Sequence, residues 1–187
     1  MQDPPWKADA AALAALELFV QGHMLPTPLA AAANGGELQL PFVCLKTADL
    51  ERCKPGVWLN DELINFGMWR LQQRDAAIQG GSSKWPELNA FWQGQQHVSC
   101  HFFNSYFLAK YYLDRCAVRY DEVRRWTLPQ RLQTAGQCKP GVLDSELLVA
   151  PCNLGNQHWV LIVADLQRQR ILYLDPMGMS QQAITAG

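Results

Sequence analysis

LLVAPCNLGNQHWVLIVADLQRQRILYLDP, residues 147–176, is the stretch on which the fold turns. Leu147 to Ala150 is a short apolar run, His158 to Asp165 a longer one rich in β-branched residues, and Ile171 to Leu174 a third. Runs of this kind predict strands. Leu166-Gln167-Arg168-Gln169-Arg170, between the last two, is polar and of hairpin length. Near-continuous apolar character predicts strands buried on both faces, hence a sheet with helices packed over it. The segments upstream read mainly as helices, and helices followed by strands predict an α+β fold rather than alternating α/β.

Pairing the strands around the 166–170 turn brings His158 and Asp175 within a residue or so of being directly across, at the open end of the hairpin. Opposed residues of an antiparallel pair point to one face. A carboxylate there can accept the imidazole N–H, fix its tautomer and stabilise its charged form. That is the base and orienter of a nucleophilic triad. The alternative is a His that starts a strand and an Asp that opens a turn with Pro176.

Working back toward the N-terminus, His101 to Tyr112 is aromatic-rich and reads as a helix, and Tyr120 to Trp126 as a short helix or turn. Residues 76–96, with Gly80-Gly81-Ser82-Ser83, Pro86 and Gly94, read as a surface loop. Asn60 is a candidate N-cap, followed by Asp61 and Glu62 where the helix dipole favours acids. Leu63, Ile64, Gly67, Met68 and Leu71 then recur at helical spacing, which predicts an amphipathic helix over 61–74. Thr47 is a candidate cap for a short helix to Cys53, stopped by Pro55-Gly56. Residues 1–37 differ in texture. Ala8 to Val20 predicts a short helix, and Gly22, Pro26, Pro28, Ala30 to Ala33 and Asn34-Gly35-Gly36 a flexible connector. The globular part is residues 38–187.

The chain has 187 residues, which predicts roughly one domain with something left over. Hydrophobic residues make up 49% and charged residues 18%, a balance that excludes a disordered chain. Net charge is −1, so the basic excess of a non-specific nucleic-acid binder is missing, and no nucleic-acid partner is expected. No apolar run approaches the roughly 18 residues of a membrane span, so no membrane partner is expected. The run from Ala10 to Val20 is too short, contains Glu17 and lacks a basic flank, so it does not read as a signal peptide. Cys44, Cys53, Cys100, Cys116, Cys138 and Cys152 form no CxxC framework and read as reduced thiols of a nuclear or cytoplasmic protein. His97, Cys100 and His101 lack a second ligand pair, and neither a metal nor another cofactor is expected.

Five segments together resemble one family. Trp58-Leu59-Asn60-Asp61-Glu62-Leu63-Ile64-Asn65-Phe66 resembles the WLNDE-x-I-N-F signature of the SUMO-specific cysteine proteases, the ubiquitin-like-protein proteases of adenain-like fold. His101-Phe102-Phe103-Asn104-Ser105-Tyr106-Phe107 is similar to their H-x-F-N-[ST]-[FY]-F segment. Val123-Arg124-Arg125-Trp126-Thr127 is similar to V-[KR]-[KR]-W-T, and Pro151 to Trp159 to P-[IV]-N-L-x-x-x-H-W. Tyr173-Leu174-Asp175-Pro176-Met177-Gly178 resembles Y-x-D-S-[ML]-G, with Pro in place of Ser. One such motif is weak evidence and five in order are specific.

The resemblance implies an α+β, adenain-like protease domain that hydrolyses the bond after the Gly-Gly tail of SUMO, with SUMO and SUMO-conjugated proteins as partners. It implies His158 and Asp175 as catalytic base and orienter. It implies Trp58 and Trp159 as a lid over the tail, since only residues without a Cβ thread between two indole faces. It implies Asp61, Tyr106, Arg125 and Trp126 as further SUMO contacts. Read without the family, Trp58 is an anchor before a helix cap, Trp126 a core aromatic and Asp61 a compensator of the helix dipole. The family's nucleophile is a Cys in a Q-x-x-x-x-x-D-C-G segment well after the Asp. No D-C-G occurs here and no cysteine follows Asp175. Cys152 falls where the family has Val or Ile and reads as a packing residue. The expectation is therefore a domain that stops before its nucleophile and is inactive alone. The alternatives are a non-catalytic SUMO-binding paralogue and a protease for another ubiquitin-like modifier.

Overall fold

The computed structural model describes residues 37–40, 43–79, 97–112, 120–129, 140–178 and 183–185, which fall into two units, one reaching to Glu62 and one starting at Leu63. The helix expected over Ala8 to Val20 and the connector after it lie outside the described residues.

In the first unit, β1 (Glu37–Leu40) and β2 (Val43–Lys46) form an antiparallel pair that the sequence reading missed. Val43 and Leu45 are buried, with the exposed Lys46 and half-buried Cys44 alternating between and after them. This is the period-2 pattern of a strand with one covered face. A short helix, α1 (Thr47–Leu50), runs into a 3-10 turn at Glu51–Cys53. Its cap is not Thr47 as expected: Lys46 precedes the helix, and the Asp49 carboxylate accepts the Lys46 backbone N–H at 2.8 Å. A carboxylate at the third helical position thus satisfies the amide of the capping residue, as the acidic half of a capping box does. Gly56, with φ +78°, reverses the chain where a side chain would be strained.

Helix α2 (Asp61–Gln79) begins at the expected place and runs five residues beyond the expected end. Its buried stripe differs from the expected apolar one. Asn65, Phe66, Gln72, Asp75 and Ala77 are buried, whereas Leu63, Ile64, Gly67, Met68 and Leu71 are half-buried. The reason lies in the next element, β3 (Cys100–Phe102). Residues 101–102 were expected to be helical and are instead an edge strand. Cys100 and Phe102 are two residues apart, so their N–H groups leave the strand on one edge. The Asp75 carboxylate accepts the Cys100 N–H at 3.0 Å, and the Gln72 amide oxygen accepts that of Phe102 at 2.9 Å. Asn65 accepts the N–H of Ser105 at 2.7 Å just beyond the strand. Three polar side chains on one helical stripe thus take the place of a neighbouring strand.

Two helices follow, α3 (Tyr106–Tyr112) and α4 (Tyr120–Thr127), the second where a helix or turn was expected. The sheet is completed by β4 (Leu147–Leu154), β5 (His158–Asp165), β6 (Arg170–Leu174) and β7 (Ala183–Thr185). The strand order is β3-β4-β5-β6-β7, with β3 parallel to β4 and the other pairs antiparallel. The fold is α+β, as expected. Phe103, Val142 and Ala150 form a core against which Phe107, Leu108 and Leu148 pack, so α3 covers the sheet face that carries Leu148 and Ala150. The Phe103 and Phe107 rings stack at 3.7 Å between centroids. Burying one such ring contributes about 1.5–3 kcal/mol.

The edge contacts of α2 give a test. Replacing Asp75 by alanine leaves the part-buried Cys100 N–H without its acceptor, which costs at most about 1–3 kcal/mol. Asp75→Ala should lower stability in denaturant melts by that order, and amide exchange should accelerate at Cys100 before it does in β5.

Candidate active site

Two turns set the positions of His158 and Asp175. Strand β4 runs four residues past its expected end and turns back at Gly155 and Asn156, whose φ values are +60° and +58°. Such paired positive φ angles favour Gly and Asn, and they match the twist of a hairpin. The Gln157 N–H closes the turn on the Leu154 carbonyl at 3.1 Å, and His158 becomes the first residue of β5, opposite Leu154. Gly155-Asn156 is a hairpin signal that the sequence reading did not use.

At the other end of β5 the turn is clamped by Asp165, which is buried. It accepts the Arg168 N–H at 3.0 Å and the Arg168 and Arg170 guanidinium groups at 3.1 Å each. Burial alone would raise the Asp165 carboxyl, but these hydrogen bonds outweigh it and hold the pKa below its ordinary value. The clamp sets the register, with Asp165 opposite Arg170 and Leu161 opposite Leu174. Asp175 lies one residue beyond the end of β6. His158 and Asp175 are therefore not directly opposed. They are offset diagonally by two residues, which keeps them on one face.

The Asp175 side chain is completely buried, and its Oδ1 lies 2.9 Å from Nε2 of His158. The same oxygen accepts the Met177 N–H at 2.8 Å, and Oδ2 accepts the Tyr173 hydroxyl at 3.4 Å. The His158 hydrogen bond, followed by that from Met177, holds the Asp175 carboxyl below its ordinary pKa against the opposing effect of burial. An ionised carboxylate can only accept. Nε2 of His158 therefore carries the proton, and in the neutral ring Nδ1 keeps its lone pair. Nδ1 is buried and has no hydrogen-bond partner among the described residues. Pro176, the departure from the family motif, fits the second position of the turn from Asp175 to Gly178, which the Gly178 N–H closes on the Asp175 carbonyl at 3.1 Å. No bond of this turn needs an N–H from residue 176.

Cys152 lies within β4 rather than after it, on the same sheet face as His158. It makes no hydrogen bond to the free imidazole nitrogen, and burial pushes its thiol up, away from the thiolate. Trp159, next to His158 in β5, projects from the opposite face. Tyr106 opens α3 and is exposed. In α4 the Arg125 guanidinium lies 5.2 Å from the Trp126 ring centroid, and Trp126 also meets Phe107 at 6.1 Å. Trp58 and Asp61 belong to the first unit. Trp58 is 57% exposed, and its carbonyl accepts from Arg52 at 3.3 Å. Asp61 is the first residue of α2, and the preceding Asn60 donates to Asp49 at 2.6 Å. Of the residues considered as metal ligands, His97 faces Asp75 at 3.3 Å and the His101 ring meets Phe103 edge-on. Among the described residues no group of three His, Cys, Asp or Glu could hold an ion, and no helix is long and apolar enough to cross a membrane.

A histidine with one nitrogen tied to a carboxylate and the other bare has the form of a general base awaiting a nucleophile. Residues 89–186 match the Ulp1 protease family, C-terminal catalytic domain, and the chain belongs to that family of cysteine-type peptidases. It is 33% identical over 130 residues to ubiquitin-like-specific protease 1A of Arabidopsis thaliana, covering 69% of this chain and 22% of that protein. It is 28% identical over 136 residues to human sentrin-specific protease 2, covering 73% of this chain and 18% of that one. The chain thus spans about a fifth of the length of these relatives. A solved structure of the SUMO protease Ulp1, with its catalytic cysteine oxidised to a sulfenic acid, aligns over 81% of this chain and 55% of that one, at TM-score 0.48 and 22% identity.

The lowered pKa of Asp175 gives a pH test. Its folded value lies below the unfolded one, so its contribution to stability is complete above about pH 4. That contribution is lost as pH falls through the folded value. The stability difference between wild type and Asp175→Asn should be large near pH 7 and shrink below about pH 4. Urea melts at both ends of that range measure it; a difference independent of pH would contradict the assignment.

Proposed function

We propose that this chain supplies the general base and its orienter to the catalytic domain of a SUMO protease. The observation that carries the reading is His158, with Nε2–H on Asp175 and Nδ1 bare. Nδ1 takes the proton of a cysteine thiol, and the thiolate attacks the carbonyl carbon of the terminal Gly of SUMO. Asp175 stabilises the imidazolium that forms. His158 returns the proton to the leaving amine, and a water, deprotonated by the same nitrogen, then hydrolyses the thioester.

In this reading Trp159, next to the base, contacts the Gly-Gly tail, and Tyr106, Arg125 and Trp126 contact the folded body of SUMO; by the family resemblance Trp58 and Asp61 of the first unit are SUMO contacts as well. Family membership and the five motifs support the substrate class; the names of the relatives agree with it. Cys152 is disfavoured as nucleophile by its raised thiol. None of the six cysteines follows Asp175 or sits in a D-C-G segment. The proposal is therefore that the 187-residue polypeptide is inactive by itself. The alternative reading is a SUMO-binding module without catalysis. A substrate panel of other ubiquitin-like modifiers tests the remaining alternative, a protease for one of those. Reduced thiols fit a nuclear or cytoplasmic setting.

The 187-residue polypeptide should not cleave a fluorogenic SUMO C-terminal substrate. In the whole protein that carries a D-C-G cysteine, His158→Ala should lower turnover by about 10²–10⁴-fold. An electrophilic SUMO probe that labels any of the six cysteines here, and ceases to do so in His158→Ala, would overturn the missing-nucleophile proposal. Asp61→Arg should abolish SUMO binding in an NMR titration, because it sets like charge against a basic partner residue; micromolar binding that ignores this substitution would mean that the interface lies elsewhere.

A further inference from the structure

We propose that Tyr173 is a positioning residue for the His158–Asp175 pair, its hydroxyl holding the second carboxylate oxygen so that the first stays on the imidazole. The inference rests on the reading of His158 as the base. It starts from the distribution of donors around Asp175. Oδ1 receives two, the His158 Nε2–H at 2.9 Å and the Met177 N–H at 2.8 Å. Oδ2 receives one, the Tyr173 hydroxyl at 3.4 Å. The terminal torsion of an aspartate is broad, so donors on one oxygen alone leave the carboxylate free to rock about it. The side chain is wholly buried, so water does not replace a lost donor.

The placement follows from the strand. Tyr173 lies opposite Ile162 in β6, two residues before Asp175 and hence on the same face. Its hydroxyl reaches the carboxylate along that face. Burial, and then the charge of Asp175, push the phenol above its ordinary pKa, so the hydroxyl keeps its proton and remains the donor. Remove the hydroxyl, and Oδ2 has no donor among the described residues. The carboxylate is then free to rock about Oδ1, and its hydrogen bond with Nε2–H loosens. Nδ1 is thereby less firmly held as the unprotonated nitrogen.

The test is carried out on the 187-residue protein and needs no turnover. Long-range ¹H–¹⁵N spectra of protein labelled at histidine nitrogen report the tautomer and the titration of His158, assigned by the signal lost in His158→Gln. The wild type should show the Nε2–H tautomer. Tyr173→Phe should retain a cooperative melt and lower the ratio of Nε2–H to Nδ1–H rings by about three- to tenfold, the range of one ordinary hydrogen bond. In an Asp175→Asn background the same substitution should change nothing, because the coupling runs through the carboxylate. If Tyr173→Phe fails to fold, 3-fluorotyrosine placed at position 173 by codon suppression supplies a stronger donor of nearly the same shape, and should move the ratio the opposite way. An unchanged ratio in either variant, or an equal shift without Asp175, overturns the proposal. A shifted tautomer in a protein whose whole form ignores SUMO substrates would instead refute the protease reading and leave the positioning role standing.

Discussion

The register of the β4–β5–β6 meander is the constraint on which the site depends. Two local devices impose it: the positive-φ Gly155-Asn156 turn at one end of β5, and the buried Asp165 with its two arginines at the other. Together they place His158 at the head of β5 and Asp175 just past the tail of β6, both on one face. A slip of one residue would send the two side chains to opposite faces and dissolve the pair. A slip of two would keep the face and change the diagonal offset across which the 2.9 Å contact is made. Site geometry here is a property of strand pairing before it is a property of any side chain.

The same region was the most legible part of the sequence. Apolar runs separated by a polar pentapeptide give the strands and bring His158 and Asp175 to the same end of the hairpin, but their exact offset, and with it their shared face, is not readable. Their offset depends on where the clamp at Asp165 closes the hairpin, and two arginines in a polar loop look like ordinary solvated charges. The motifs named the family but not the reasons for their residues. Asn65 and Ser105, part of two separate motifs, turn out to be hydrogen-bonded to each other across 40 positions of sequence.

Helix α2 and β3 were the least legible. Helical periodicity was visible from Leu63 to Leu71, but the residues most deeply buried include Asn65, Gln72 and Asp75. Hydrophobic pattern reading assigns such residues to solvent, because it counts the transfer cost of polar groups and cannot see which backbone amides they will satisfy. Likewise His101 sits in an aromatic-rich stretch that reads as helix, while its strand pairing with Leu148 is set by a partner 47 residues away. The β1–β2 pair fell where the sequence reading placed the onset of globular texture, in runs too short for periodicity to identify.

The covering of β3 also bears on how this sheet behaves toward other chains. An open edge strand is a template on which a foreign strand can be added. On β3 the amides of Cys100 and Phe102 are already occupied by side chains that are themselves buried. An incoming strand would have to extract Gln72 and Asp75 from the interior before its first backbone bond could form. The polar stripe of α2 thus guards that margin of the sheet against strand exchange and amyloid-like growth, a protection that an apolar helix face of the same shape would not give.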